Sequence, residues 1–268
     1  MTLSATLIQK DYEIFQLTES SPENDVWSCD CYVVKSDNSA IIIDPGYTKF
    51  DEARNLLSEI GVNRGIILLT HGHWDHYYGA FDLLSNGFSE MYVHKDDLKY
   101  IDDLVDLIKK GKSTPETVKA LSENLSALHG NKLNLKLDFL PANPAKLNGF
   151  EDKINYFDVD NFLFEYGSIL YSCQHDGSHT KGHVTYQIGK VLFAGDLVLL
   201  KNGKLQIEPR LDHKETGIVR GIREVRDATK TALKRVTKNK DMVDYIALGH
   251  GGFIKIDEFI EKARRLIR

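Results

Sequence analysis

The strongest constraint in the sequence is a strand that cannot lie at a surface. Gly65-Ile66-Ile67-Leu68-Leu69-Thr70 is a short, unbroken apolar run, and a strand without a polar face has to be covered on both sides. Elements stacked on both of its faces are therefore expected. The run leads directly into His71-Gly72-His73-Trp74-Asp75-His76. Ligand-type side chains at the C-terminal end of a buried strand are rigidly held and still open to solvent.

The flanking sequence fits such a layered chain. Cys31-Tyr32-Val33-Val34 and Ala40-Ile41-Ile42-Ile43 bracket the turn-forming Ser36-Asp37-Asn38-Ser39, which predicts a hairpin. Ala53, Leu56, Leu57 and Ile60 fall at helical spacing, so a helix is expected over 51–60, stopped by Gly61. From 95 to 150 the pattern changes. Leu98, Ile101, Leu104, Leu107 and Ile108 predict one amphipathic helix. Ser113-Thr114-Pro115-Glu116 predicts the start of a second, which carries Leu121, Leu125 and Leu128. This segment reads as a helical insertion within a single domain spanning 1–268. Strands are expected at 154–157, 162–165, 168–173, 184–188 and 191–194, with Gly189-Lys190 as a tight turn. A charged helix over 215–236, a buried strand at 245–248 and a helix from Phe253 onward complete the reading.

Composition narrows the function classes. The chain has 268 residues, 42% hydrophobic and 27% charged, with a formal charge of -5. Its cations are interleaved with acids, whereas phosphate binding needs clustered cations. Neither nucleic acid nor a membrane is an expected partner; a small-molecule substrate is, and a homodimer is compatible with the sequence. The N-terminus lacks the basic start and apolar stretch of a signal peptide. Cys29, Cys31 and Cys173 form an odd set, and a bridge between two cysteines two residues apart would be strained. A reducing, cytoplasmic location is the expectation.

The histidine run carries the chemistry. His71 and His73 are two apart in an extended segment, so their side chains point the same way. Three imidazoles and a carboxylate within six residues suit a borderline cation such as Zn²⁺.

Further motifs follow in order: Ile43-Asp44-Pro45-Gly46, Thr180-Lys181-Gly182-His183, Leu192-Phe193-Ala194-Gly195-Asp196 and Leu248-Gly249-His250-Gly251-Gly252. Together with His-x-His-x-Asp-His after an apolar strand, they resemble the metallo-β-lactamase superfamily. The resemblance implies an α/β fold, a four-layer αββα sandwich with two metals at one edge of the paired sheets. Carried over by position, His71, His73 and His183 would hold one metal, and Asp75, His76 and His250 the second. Asp196 would bridge both, Asp75 and Asp196 would be the catalytic carboxylates, and Asp44 would orient a ligand. Two divalent ions, zinc first and iron or manganese after it, would generate a metal-bridging hydroxide that cleaves an ester, thioester or lactone bond.

Departures from the family pattern sharpen the expectation. Position 73 is His where the diiron flavoproteins of the superfamily carry Glu. Position 76 is His and position 196 Asp, where many true β-lactamases carry Arg and Cys or Ser. The full ligand set resembles the glyoxalase II and acyl-homoserine lactonase branches. Only a short helix follows His250, so the glutathione-binding domain of standard glyoxalase II is not expected, and the insertion would supply the substrate wall. The alternative is a mononuclear-iron persulfide dioxygenase, whose ligands resemble His71, His183 and Asp196. A phosphodiesterase or nuclease ranks behind it.

Other side chains carry two readings. His175 and His179 either line the pocket or serve packing, while His94, His129 and His213 read as structural or surface groups. Arg220, Arg223 and Arg226 either grip an anionic substrate or form a solvated face with Glu224 and Asp227. Trp74, Tyr77 and Tyr78 are pocket wall or core.

Overall fold

The structure, a computed structural model, describes residues 1–9, 11–19, 29–37, 39–47, 49–77, 79–98, 100–101, 151–207 and 221–268. Most of the expected helical insertion, with Leu104, Leu107, Ile108, Leu121, Leu125, Leu128 and His129, lies outside the described residues. So do Tyr78, His213 and Arg220.

Among the described residues, one sheet has seven strands in sequential order. They are β1 (Thr2–Ile8), β2 (Glu13–Thr18), β3 (Cys31–Ser36), β4 (Ser39–Ile43), β5 (Ile66–Leu68), β6 (Glu90–His94) and β7 (Ile154–Phe157). The pairing is antiparallel from β1 to β4 and parallel from β4 to β7. The second sheet contains β8 (Asn161–Tyr166), β9 (Ile169–His175), β10 (Val184–Ile188), β11 (Val191–Gly195), β14 (Tyr245–Leu248) and β15 (Gly252–Lys255). A small hairpin, β12 (Leu199–Lys201) with β13 (Lys204–Gln206), stands apart. The helices are α1 (Phe50–Glu59), α2 (Trp74–Tyr77), α3 (Ala80–Ser85), α4 (Ile222–Lys238) and α5 (Ile256–Ile267).

Alternation along the strands builds the layers. In β4, Ala40 and Ile42 join a core with Ala53 and Leu57 of α1 and Phe81 of α3, while Ile41 and Ile43 face the other way. In β11, Val191 and Phe193 meet Ile41 and Ile43 between the sheets, while Leu192 and Ala194 pack on Leu233 of α4 and Phe259 of α5. Each inner strand thus buries two faces, which is why their sequences are nearly continuous apolar runs. Three cores between four layers make an αββα sandwich. Fully burying each Ile or Leu contributes roughly 1.5–3 kcal/mol, so the inner strands provide much of the rigidity that positions their ends.

The structure corrects three expectations. The final helix begins at Ile256, because 252–255 forms β15 antiparallel to β14. The charged helix begins at Ile222, and 208–220 lies outside the described residues. β1, β2, β6, β12 and β13 were not anticipated. No helix among the described residues is long and apolar enough to cross a membrane. Cys29, Cys31 and Cys173 are buried free thiols.

Candidate metal centre

The chain crosses one edge of the sandwich repeatedly, and each crossing leaves ligand-type side chains there. Asp44 follows β4, His71 to His76 follow β5, His179 lies between β9 and β10, Asp196 follows β11 and His250 follows β14. Tyr186 ties the sheets together at this edge by donating its hydroxyl to the Leu69 carbonyl at 3.0 Å. Val184 N donates to Thr70 O at 2.8 Å.

Three donor sets form around a common centre: His71 with His73 and His179, His71 with His76 and Asp196, and Asp75 with His76 and His250. Within each set the donor atoms lie within 4.8 Å of one another. Asp196 stands between the sets. Its Oδ2 is 3.6 Å from His179 Nε2 and 3.7 Å from His250 Nε2, and its Oδ1 is 3.4 Å from His76 Nε2. Asp75 Oδ2 lies 3.3 Å from His250 Nε2. Ligand atoms about 2.0–2.2 Å from a tetrahedral ion sit roughly 3.3–3.6 Å from one another, so the spacing fits cation coordination. His71 Nε2, His76 Nε2 and Asp196 Oδ1 are buried without a hydrogen bond. Buried polar atoms are rarely left so, and convergent nitrogen and oxygen donors of this kind suit a divalent metal.

Surrounding groups set the direction of each lone pair. Asp44 Oδ2 accepts from Thr70 Oγ1 at 2.6 Å and faces His76 Nδ1 at 2.9 Å, while Asp44 Oδ1 accepts from Thr70 N at 2.8 Å. With its hydroxyl proton given to Asp44, Thr70 can accept from His71 Nδ1 at 3.1 Å. His71 then turns an unprotonated Nε2 to the centre, and Asp44 fixes the ring of His76, as carboxylate–histidine pairs orient metal ligands. Asp44 adopts a left-handed backbone, φ 50°, which costs a non-glycine residue about 1–2 kcal/mol. Crowding is severe at the opposite wall, where a Cβ on Gly249 would lie 2.3 Å from Asp196 Oδ1.

Charge states follow from burial and neighbours. Burial, then the positive potential of His76 and His73, drives the His71 pKa well down, so it stays neutral and able to ligate. Burial pushes Asp75 and Asp196 up, but His250 and His76 outweigh it and hold both carboxyls below the usual range. Burial opposes protonation of His76, yet Cys29, Asp196 and Asp44 raise its pKa well above the ordinary value. A positive charge is what these carboxylates stabilise.

The structure brings together His71, His73, Asp75, His76, Asp196 and His250. Among the donor sets, His179 stands with His71 and His73 in the place expected for His183, whose own Nε2 is also buried without a hydrogen bond. His183 directly precedes β10, and its Nδ1 is held by Asp176 Oδ1 at 2.8 Å and Ser178 Oγ at 3.1 Å. Its ring stands 5.5 Å from that of His71, and it belongs to none of the donor sets. The signal for His179 was its place in the loop between two strands, where site residues concentrate. Asp30, Thr70, Asp97 and Asp176 also support the site and were not singled out from sequence.

The remaining candidates resolve into supporting roles. His94 and His175 stack with centroids 4.2 Å apart and planes 4° from parallel. With Asp96 they bring ligand atoms close, but in-plane lone pairs of parallel rings do not converge on one ion. His175 Nε2 donates instead to Lys181 O at 2.8 Å. Tyr77 belongs to the core and donates to Tyr100 O at 3.3 Å. Arg223 and Arg226 lie on the exposed face of α4, Arg223 with Asp227 at 3.7 Å, while Val225, Thr229 and Leu233 face inward. The solvated-face reading holds for both arginines.

Comparison with known proteins agrees with this architecture. Hydroxyacylglutathione hydrolase GloC of Haemophilus influenzae is 28% identical over 236 residues, 85% of this chain and 88% of its own. BaeB of Bacillus velezensis, named a probable polyketide biosynthesis zinc-dependent hydrolase, is 32% identical over 91 residues, 33% of this chain. Protein ML0493 of Mycobacterium leprae is 34% identical over 71 residues, 26% of this chain. The matches span 33% of ML0493 and 39% of BaeB. Among solved structures, the archaeal protein ST1585 of Sulfolobus tokodaii has a TM-score of 0.56 at 19% identity, covering 90% of this chain and 81% of its own. The chemotaxis sensor ODP of T. denticola, solved as a peroxy diiron species, has a TM-score of 0.59 at 13% identity, covering 98% of this chain and 93% of its own. The sequence pattern of the Metallo-beta-lactamase superfamily matches residues 24–250, and with the four layers and the histidine-rich edge already in place, the chain belongs to that superfamily.

Proposed function

We propose that this superfamily member is a metal-dependent hydrolase acting on an ester, thioester or lactone of a small molecule, with a dinuclear centre. His71, His73 and His179 would hold one cation, Asp75, His76 and His250 the second, and Asp196 would bridge them. The observation that carries this reading is the position of Asp196 Oδ2, 3.6 Å from His179 and 3.7 Å from His250. Zinc is the proposed metal, since imidazole nitrogens dominate the donor sets. When bound, paired cations lower the pKa of a shared water and polarise the bond it attacks. The protein's own contribution is orientation: Asp44 and Thr70 fix His76 and His71, and ionised Asp75 and Asp196 offset cationic charge. The likeness to GloC and BaeB supports an acyl-transfer substrate, and the three buried thiols support a cytoplasmic location.

The alternative is a mononuclear-iron persulfide dioxygenase, its iron held by His71, His183 and Asp196, all present in this chain. One experiment separates the two. Protein loaded with zinc or with iron is given hydroxyacyl thioesters and lactones, and separately a persulfide in an oxygen electrode. The proposal expects zinc-supported hydrolysis without oxygen uptake. Iron-dependent oxygen consumption with no hydrolysis would overturn it.

A further inference from the structure

Asp97 is a buried carboxylate that the proposed chemistry does not use. It sits in the turn after β6 and has no exposed surface. Its Oδ2 accepts from Gly72 N at 2.9 Å and from the Thr180 hydroxyl, and its Oδ1 accepts from Gly182 N at 2.8 Å. Gly72 separates His71 from His73, and Thr180 follows His179. One carboxylate therefore holds both backbone segments that carry the first donor set. These segments come from different sheets, joined nearby by the Val184 N to Thr70 O bond and the Tyr186 hydroxyl, and among the described residues Asp97 alone bonds both the Gly72 amide and the Thr180–Gly182 stretch.

The fit leaves no room for substitution. A Cβ on Gly72 would lie 2.7 Å from the Asp97 carbonyl oxygen, and one on Gly182 would lie 2.7 Å from the Asp97 carboxyl carbon. The same turn grips the third-motif loop elsewhere. Asp96 Oδ1 is 3.6 Å from Lys181 Nζ, and His94 stacks on His175, which donates to Lys181 O. Burying a carboxylate is costly unless its oxygens are satisfied. Here three donors from two segments converge on it, which no apolar residue of that size could hold together.

We infer that Asp97 is a positioning residue for the first metal: it sets the distance between His179 and the His71–His73 pair. The inference rests on the dinuclear reading above. The second set relies on other groups, Asp44 for His76 and, for the loop of His250, Asp30, which accepts from Gly251 N and Gly252 N.

Cobalt(II) titration, followed by d–d absorption, tests this on the folded full-length protein. Wild type should show two uptake steps, and His73→Ala identifies the first site by the step it lacks. Asp97→Asn replaces one acceptor with a donor facing an N–H, and should weaken that same step by about 10-fold or more while changing the other less than about 2-fold. Thr180→Val should weaken the same step less, and Thr180→Ser, which keeps the hydroxyl, should restore it. Equal weakening of both steps, or unchanged steps with only a lower Tm, overturns the inference. Should Asp97→Asn not fold, the contrast between Thr180→Val and Thr180→Ser decides. A wild type with one step refutes the dinuclear reading. The inference then stands only if that step is lost in His73→Ala and weakened in Asp97→Asn.

Discussion

His179 and His183 lie four residues apart in one motif, and their surroundings assign them different work. His179 faces His73 and Asp196, whereas His183 is clasped by Asp176, itself 3.5 Å from Arg235 of α4. His179→Ala should therefore cost one metal equivalent per chain. His183→Ala should keep both metals but lower Tm, since it leaves the buried Asp176 carboxylate without its main partner. Elemental analysis beside thermal melts checks the pair, and the reverse pattern would restore His183 to the site. Asp196→Ala should lower turnover by a factor on the order of a thousand or more while the fold survives, because the metal separation loses its bridge. Near-normal turnover with full metal content would refute that role. Asp44→Ala should reduce metal affinity by about 10–100-fold through misaligned His76 and His71, measurable by competition with a chelator. At this scale the convergence of candidate donors was legible where they are contiguous, as in His71 to His76, or end an apolar strand, as do Asp196 and His250. It was illegible where two equivalent residues share a motif, and for Asp97, whose partners are backbone amides brought together only by folding.

The strands that sequence reading missed carry weak or ambiguous signals. β1 alternates Thr2, Ser4 and Thr6 with Leu3, Ala5 and Leu7, but it is largely exposed, so the alternation marks no deeply buried face. β15 is four residues long and begins with glycine, and Phe253 extends the apolar spacing of α5 by coincidence. Asp30 shows why these elements matter to the site. It accepts from Gln16 Nε2 and Thr18 Oγ1 of β2 and from the amides of Gly251 and Gly252. Asp30→Ala leaves the Gly251 and Gly252 amides without this acceptor, at about 1–3 kcal/mol for the buried Gly252 amide, and should loosen the His250 loop; a Tm equal to wild type would contradict this. The β6–β9 contact gives a pH signature. Burial, then the neighbouring His175, lowers the His94 pKa from 6.5 to about 4. A histidine with a depressed folded pKa takes up protons more readily when unfolded. Its stabilising effect is full above the unfolded pKa and declines as pH falls toward 4. The Tm gap between wild type and His94→Asn should therefore narrow as pH falls from about 7 to about 4.5, and a constant gap would exclude His94 as the sensor.

At the scale of the molecule, the three apolar cores of the described residues hold the two large sheets together so that loops from distant parts of the chain meet at one edge. The layers were legible because doubly buried strands are nearly unbroken apolar runs. Which loops meet depends on strand order, and no local pattern encodes that. The central claim is that this edge holds two cations with Asp196 between them. Anomalous X-ray diffraction from zinc-loaded crystals tests it most directly. The account predicts two peaks about 3.5–4 Å apart, one within about 2.0–2.2 Å of His71, His73 and His179 donors, the other equally close to Asp75, His76 and His250. A single peak, or a first-site peak bonded to His183 with His179 turned away, would contradict it.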